Sequence, residues 1–223
     1  MHLSGRLGEM RHRLLDTLLQ RFFDLLYTDL AWSYDIVAWL ASMGQWRTWI
    51  GLADIGWGTG RLLEIGHGPG HLLADMASRG YAITGLDPSP QMIRMAGRRL
   101  RFRGIAGQIV GGRSQALPFA SSTFAGVLVT FPGPFLFEDA SLHEIRRVLQ
   151  PAGRFVVIAL ARITGLGVYD RAAAWLNHVT GQSGPPDRRW LDRLARHGFE
   201  ASQEEVELPR ALVLRLMATK APG

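Results

Sequence analysis

The chain reads as an α/β domain: a largely parallel, doubly wound sheet with helices on both faces. Three observations carry that reading. From residue 61 onward, short apolar runs alternate with amphipathic segments of helical period. The turns between them hold the glycines and prolines that stop one element and start the next. The 223 residues, with 47% hydrophobic content, suffice for one sizeable core and are few for two. We therefore expect a single domain over 1–223, with a helical N-terminal cover over 1–50 and the α/β core over 58–223.

Taken in order, Gly8 to Tyr27 carries Leu14, Leu15, Leu18, Leu19, Phe22 and Leu26 at helical spacing, with arginines and acids between. A second helix is expected from Ser33 to Trp49. This aromatic front packs on the domain, closes over a ligand or faces a membrane; the sequence leaves all three open. Arg61–Ile65 reads as a buried strand and His71–Arg79 as a helix closed by Gly80. Tyr81–Leu86 follows as a strand, then Ser89–Arg103 as a helix with Pro90 in its first turn, where a missing N–H costs little. Gln108–Val110 is a weak strand and Phe124–Phe131 a strong one. Ala140–Leu149 is a helix, stopped by Pro151-Ala152-Gly153, and Arg154–Leu160 the next strand. Tyr169–Thr180 and Asp187–His197 read as helices. Phe199–Leu208 and Ala211–Ala218 read as strands close enough to pair as a hairpin across Pro209.

Composition narrows the function classes. The net charge is +6, and Lys220 is the only lysine. A basic surface can meet nucleic acid, anionic lipid or an acidic substrate. The arginines are spread out, the densest group lying between Arg94 and Arg103 on one expected helix. There is no cysteine, hence no disulfide, no thiolate metal site and no cysteine nucleophile. No secretory signal is read at the N-terminus. The longest uncharged stretch, Ser114–Phe137, is broken by Pro118, Pro132 and Pro134 and so is not a spanning helix. A cytoplasmic location is expected, with peripheral membrane contact through Arg6, Arg11, Arg13 and Arg21 left open; no metal site is read.

The chemistry starts at "RLLEIGHGPGHLL". A strand that ends in a glycine-rich turn and opens a helix points backbone N–H groups at a ligand. Gly66, Gly68 and Gly70 give G-x-G-x-G, not the G-x-G-x-x-G of dinucleotide sites. Glu64, just before the turn, would repel a pyrophosphate and attract a cation. Asp87 lies at the end of the next expected strand, 21 residues after Gly66, where a carboxylate can accept from both hydroxyls of a ribose. The segment "GGRSQALPF" after the third strand could offer polar groups to an adenine edge.

In this order and spacing these segments resemble the class I S-adenosylmethionine-dependent methyltransferases, in particular the small-molecule branch that includes the ubiquinone/menaquinone C-methyltransferase-like enzymes. The resemblance runs from about Arg61 to Phe155. It implies a Rossmann-like seven-stranded sheet with an antiparallel last strand, and S-adenosylmethionine as cofactor. It also implies the contacts: Glu64 near the methionine ammonium, Gly66, His67, Gly68 and Gly70 along methionine and ribose, and Asp87 on the ribose hydroxyls with Pro88, Ser89 and Met92 following. By the same resemblance Arg113, Ser114 and Gln115 flank the adenine, Phe131 borders the site, and Tyr34 is brought over the cofactor. Two departures stand out. Arg113 occupies a position where the family often has an adenine-accepting aspartate, and arginine only donates. Ala125 stands where an aspartate often opens the fourth strand. His67 replaces a common small residue.

The acceptor should sit beyond the fourth strand, at "TFPGPFLFED". Phe131 stands where a nucleic-acid amino methyltransferase needs an amide or acid, so nucleic acid is disfavoured. Phe131 and Phe135 suggest an apolar, small or lipid-like acceptor, with Tyr169 and His178 as further pocket candidates. No general base is evident; His143 is the candidate the sequence offers. A non-catalytic adenosylmethionine-binding protein and a nicotinamide-dependent oxidoreductase are the alternatives.

Overall fold

The computed structural model describes residue 39, residues 42–164 and residues 188–221. They form one seven-stranded sheet in the order β3-β2-β1-β4-β5-β7-β6. The strands are β1 (Leu62–Ile65), β2 (Ile83–Asp87), β3 (Gln108–Gly111), β4 (Phe124–Thr130), β5 (Leu149–Ile163), β6 (Phe199–Leu208) and β7 (Ala211–Lys220). The pairs from β3 through β5 are parallel, and β7 runs antiparallel to both β5 and β6. The helices are α1 (Trp46–Gly51), α2 (His71–Ser78), α3 (Pro90–Phe102), α4 (Asp139–Val148) and α5 (Arg188–Arg196).

Side-chain alternation in the strands builds two cores. Leu62, Leu128, Val156 and Ile158 meet Trp49, Ile50, Leu72, Met76 and Leu100 under α1, α2 and α3. Leu63, Ile65, Val127, Phe155 and Val157 meet Leu142, Ile145, Val148 and Leu194 under α4 and α5. Glu64 shares a face with Leu62, so a carboxylate is driven into the first core. Strand order reverses between β1 and β4, which opens a crevice at their carboxyl ends.

Local chemistry fixes the elements flanking that crevice. Gly70, at φ 78°, caps α2. Ser89 caps α3 by accepting from the Met92 N–H at 3.4 Å, with Pro90 at the first turn.

Three expectations need correction. The helix expected from Ser33 to Trp49 is not continuous. The Gly44 N–H donates to the Trp39 carbonyl at 2.8 Å, a helix-ending six-to-one bond, with Met43 and Gly44 at φ 51° and 80°. Ser42 then accepts from the Trp46 N–H at 3.0 Å and α1 starts afresh. β5 begins at Leu149, not Arg154, because Leu149 pairs with Phe124 ahead of an irregularity before Gly126–Arg154. Its far end runs to Ile163 because β7 pairs with it as far as Ala211. The helices expected over Gly8–Tyr27 and Tyr169–Thr180 lie outside the described residues, as do Arg6, Arg11, Arg13 and Arg21. Among the described residues no helix is long and apolar enough to cross a membrane.

Candidate active site

The crevice holds an open cleft of about 230 Å³, walled by the ends of β1 and β4, the glycine turn, the β2–α3 junction and α1. Its acidic floor comes from two carboxylates. Glu64 is 1% exposed; the Leu73 N–H donates to it, and its Oε2 has no partner among the described residues. Burial, aided by the Asp87 charge, pushes its pKa up to about 8. Asp87 is held by two backbone donors, Ser89 N–H to Oδ1 at 2.8 Å and Gly68 N–H to Oδ2 at 3.0 Å. Burial still raises its pKa, against those bonds and the neighbouring His67. Among the described residues the walls contain no arginine and no lysine. With Glu64 ionised, the cleft of a chain with net charge +6 would favour a cation.

The three glycines of the turn divide into two jobs. A Cβ on Gly66 or Gly68 would meet nothing within 4 Å, and both residues have positive φ. These two keep the cleft open. A Cβ on Gly70 would lie 2.6 Å from that of Ala96, so Gly70 serves the approach of α2 to α3 and does not line the cleft. Arg99 of α3 donates to the Pro69 carbonyl and ties the turn down.

His67 folds under the turn against β2, where a Cβ on Gly85 would come 2.8 Å from its ring. Its Nδ1 lies 2.7 Å from the Gly68 carbonyl, which only accepts, so the proton sits on Nδ1. Burial lowers its pKa, opposed by Asp87, and the neutral ring braces the turn.

Pro88 and Ser89 line the cleft beside Asp87, whereas Met92 is fully buried beneath and does not. The side chains of the segment expected at an adenine have partners within the protein. Arg113 is exposed, in a bridge with Ala116. Ser114 Oγ lies 2.9 Å from Ser141 Oγ, and Ser141 donates to the Phe135 carbonyl at 2.7 Å. Since the Ser141 proton is committed there, Ser114 is the donor between the two hydroxyls. Gln115 donates to Glu138 at 3.0 Å. These side chains brace the Pro134–Phe137 turn, and none of the three lines the cleft.

Phe131 and Phe135 both face the cleft. Phe131 leaves β4 at φ 49° while its N–H still donates to Ile158 at 2.7 Å. Such a backbone in a bulky residue is strained, and it turns the ring onto Trp46, with centroids 4.5 Å apart and planes at 25°. Trp46, from the aromatic front, and Thr130, from the expected acceptor segment, complete the wall with Ile50, Leu72 and His71, which the sequence did not assign to the site. His71, the first residue of α2, was findable from its place after the turn; the stacking partner of Trp46, 85 residues away, was not. His143 is exposed on α4 and is not part of the walls. Ala125 faces Gly60, where an added Cβ would lie 2.2 Å from its own, a structural contact. Tyr34, Tyr169 and His178 lie outside the described residues.

Residues 62–153 match a family described as a methyltransferase domain. The chain is 30% identical over 139 residues to a demethylmenaquinone methyltransferase of Thermus thermophilus, covering 60% of this chain and 63% of that one. It is 35% identical over 150 residues to the ubiquinone/menaquinone biosynthesis C-methyltransferase UbiE of Desulfotalea psychrophila, covering 63% and 57%. The match thus spans about three fifths of these relatives' length. In fold it is similar to geranyl diphosphate C-methyltransferase from Streptomyces coelicolor in complex with S-adenosyl-L-homocysteine, with a TM-score of 0.59 at 13% identity over 78% of this chain and 79% of that one.

Proposed function

We propose that the chain is a class I S-adenosylmethionine-dependent methyltransferase, transferring a methyl group from S-adenosylmethionine to an apolar, small or lipid-like acceptor; the methyltransferase-domain match over residues 62–153 supports this reading. One observation carries the reading: two buried carboxylates face a glycine-opened cleft whose described walls hold no basic side chain of arginine or lysine type. The cofactor brings an ammonium and a sulfonium, which suit that field; a pyrophosphate does not. When bound, the cofactor supplies a methyl group activated by its sulfonium. The protein's part is placement. Gly66 and Gly68 admit the ligand, Asp87 offers its remaining lone pairs to the ribose hydroxyls, and Glu64 Oε2 offers a carboxylate to the ammonium. Orientation of this kind is worth about 7–11 kcal/mol in a two-reactant displacement.

The acceptor side is read from Trp46, Ile50, Phe131 and Phe135. They exclude water and present planar apolar surface, supporting a neutral acceptor such as the quinones and sterols in relatives' names: the matches include a sterol 4-C-methyltransferase of Caenorhabditis elegans, 28% identical over 154 residues.

Calorimetry with S-adenosylhomocysteine and with NADH is the first test. Binding of the former alone is expected; binding of NADH alone would replace the methyltransferase reading by the oxidoreductase one. Transfer of label from methyl-labelled S-adenosylmethionine to naphthoquinone and sterol acceptors is the second. The alternative is a non-catalytic cofactor-binding protein. Tight cofactor binding without label transfer to acceptors in cell extract would establish it.

A further inference from the structure

Away from the cleft, one surface has a composition that neither folding nor the proposed reaction uses. Arg94, Arg98 and Arg101 of α3 stand at i, i+4 and i+7, hence on one face. All three are exposed, and no ion pair holds them among the described residues. Their neighbours behave differently: Arg103 and Arg47 share Asp75, and Arg79 pairs with Asp54. α3 contains no acid. Arg94 and Arg98 are like charges four residues apart, which destabilises a helix; only Arg101, in the last turn, meets the favourable end of the helix dipole. Phe102, one turn beyond Arg98, is 93% exposed, the most exposed large apolar side chain among the described residues.

We propose that this face of α3 docks on an anionic lipid surface, the arginines at the headgroup phosphates and Phe102 inserted below them. The occupant is argued from charge and from the ring together. Guanidinium groups pair bidentately with phosphate and lie at the headgroup level with apolar stems below. A duplex phosphate backbone would satisfy the arginines and leave Phe102 in water; a bilayer takes both. The rest of the molecule orients the approach. α3 packs at the β3 edge of the sheet, while the exposed Glu200, Glu205 and Glu207 lie on β6, at the opposite edge. The basic edge is thus drawn to an anionic surface and the acidic edge is turned away.

The test is co-sedimentation of the full chain with phosphatidylcholine vesicles, with and without about one third phosphatidylglycerol, at low and at physiological salt. Binding is expected only with the anionic lipid and should weaken with salt. Replacing two arginines, Arg98→Glu with Arg101→Glu, should lower the partition at least about tenfold. Phe102→Ser should lower it severalfold at either salt. Calorimetry with S-adenosylhomocysteine on the same variants should match the wild type, showing an intact fold. Failure of the wild type to sediment with anionic vesicles overturns the proposal. So does equal sedimentation of the charge-reversed variant. Retention of duplex DNA as strong as that of vesicles, insensitive to Phe102→Ser, would make the surface a polyanion site and overturn the lipid assignment.

Discussion

Replacing Glu64 by glutamine should make the ligand-free protein more stable while weakening its cofactor binding, and the stability gain should depend on pH in a fixed direction. The carboxyl is 1% exposed and titrates at about 8, against 4.5 when unperturbed. The folded state therefore holds a proton that the unfolded chain releases. With the folded pKa raised, this contribution to stability is complete below pH 4.5 and is lost as pH rises toward 8. Each pH unit in that window costs the wild type up to about 1.4 kcal/mol, and the whole window at most about 5 kcal/mol. Water in the open cleft lowers that figure, so we expect at least about 1 kcal/mol, roughly 2–4 °C in Tm, at pH 7.5. Glutamine keeps the bond from the Leu73 N–H and leaves the slope behind. Urea unfolding of both proteins at pH 4.5 and 7.5 measures it. A stability difference that is the same at both values would refute the reasoning. Calorimetry supplies the functional half: wild-type affinity for S-adenosylhomocysteine should rise from pH 6.5 to 8.5 as Glu64 ionises, and the variant should lack that rise.

Asp87→Asn should reduce S-adenosylhomocysteine affinity by about 10- to 150-fold, the value of one hydrogen bond to an ionised acceptor, with circular dichroism unchanged. Gly68→Val should fold, since its Cβ points into open cleft, with a backbone cost of about 1–2 kcal/mol for φ 52°; a thermal shift by S-adenosylhomocysteine equal to that of wild type would remove the turn as the binding element. Gly70→Ala should instead be strongly destabilising in urea, because its Cβ meets Ala96, and cofactor affinity at low temperature should be kept. Ser141→Ala removes the donor to the Phe135 carbonyl and the acceptor of Ser114; it should cost about 1–3 kcal/mol and speed amide exchange over Phe135–Glu138, whereas unchanged exchange there would count against the hydroxyl chain as the brace.

What could be read from the sequence and what could not divide along the range of the forces involved. The strand, the bare turn and Asp87 were legible because their chemistry is local. Gly66 and Gly68 need positive φ, Asp87 ends its own strand, and Ser89 caps the helix that follows. The three glycines look alike in sequence, yet only the position of Ala96 on another helix gives Gly70 its separate job. The ends of β5 are set by Phe124 and Ala211, distant in the chain, so Pro151 and Gly153 gave a false boundary. The side-chain partners of Ser114 and Gln115, Ser141 and Glu138, lie about 25 residues away and were not legible in the sequence. The stack of Trp46 on Phe131 was invisible for the same reason. Charge shows the point most sharply. A net charge of +6 invites a polyanion, and summed over the surface it is correct. The cleft takes the opposite sign once Glu64 ionises, because strand alternation puts Glu64 on the inner face and the end of β2 puts Asp87 beside it. On the proposed reading, two buried carboxylates, and not the chain's net charge, decide between a cationic and an anionic ligand.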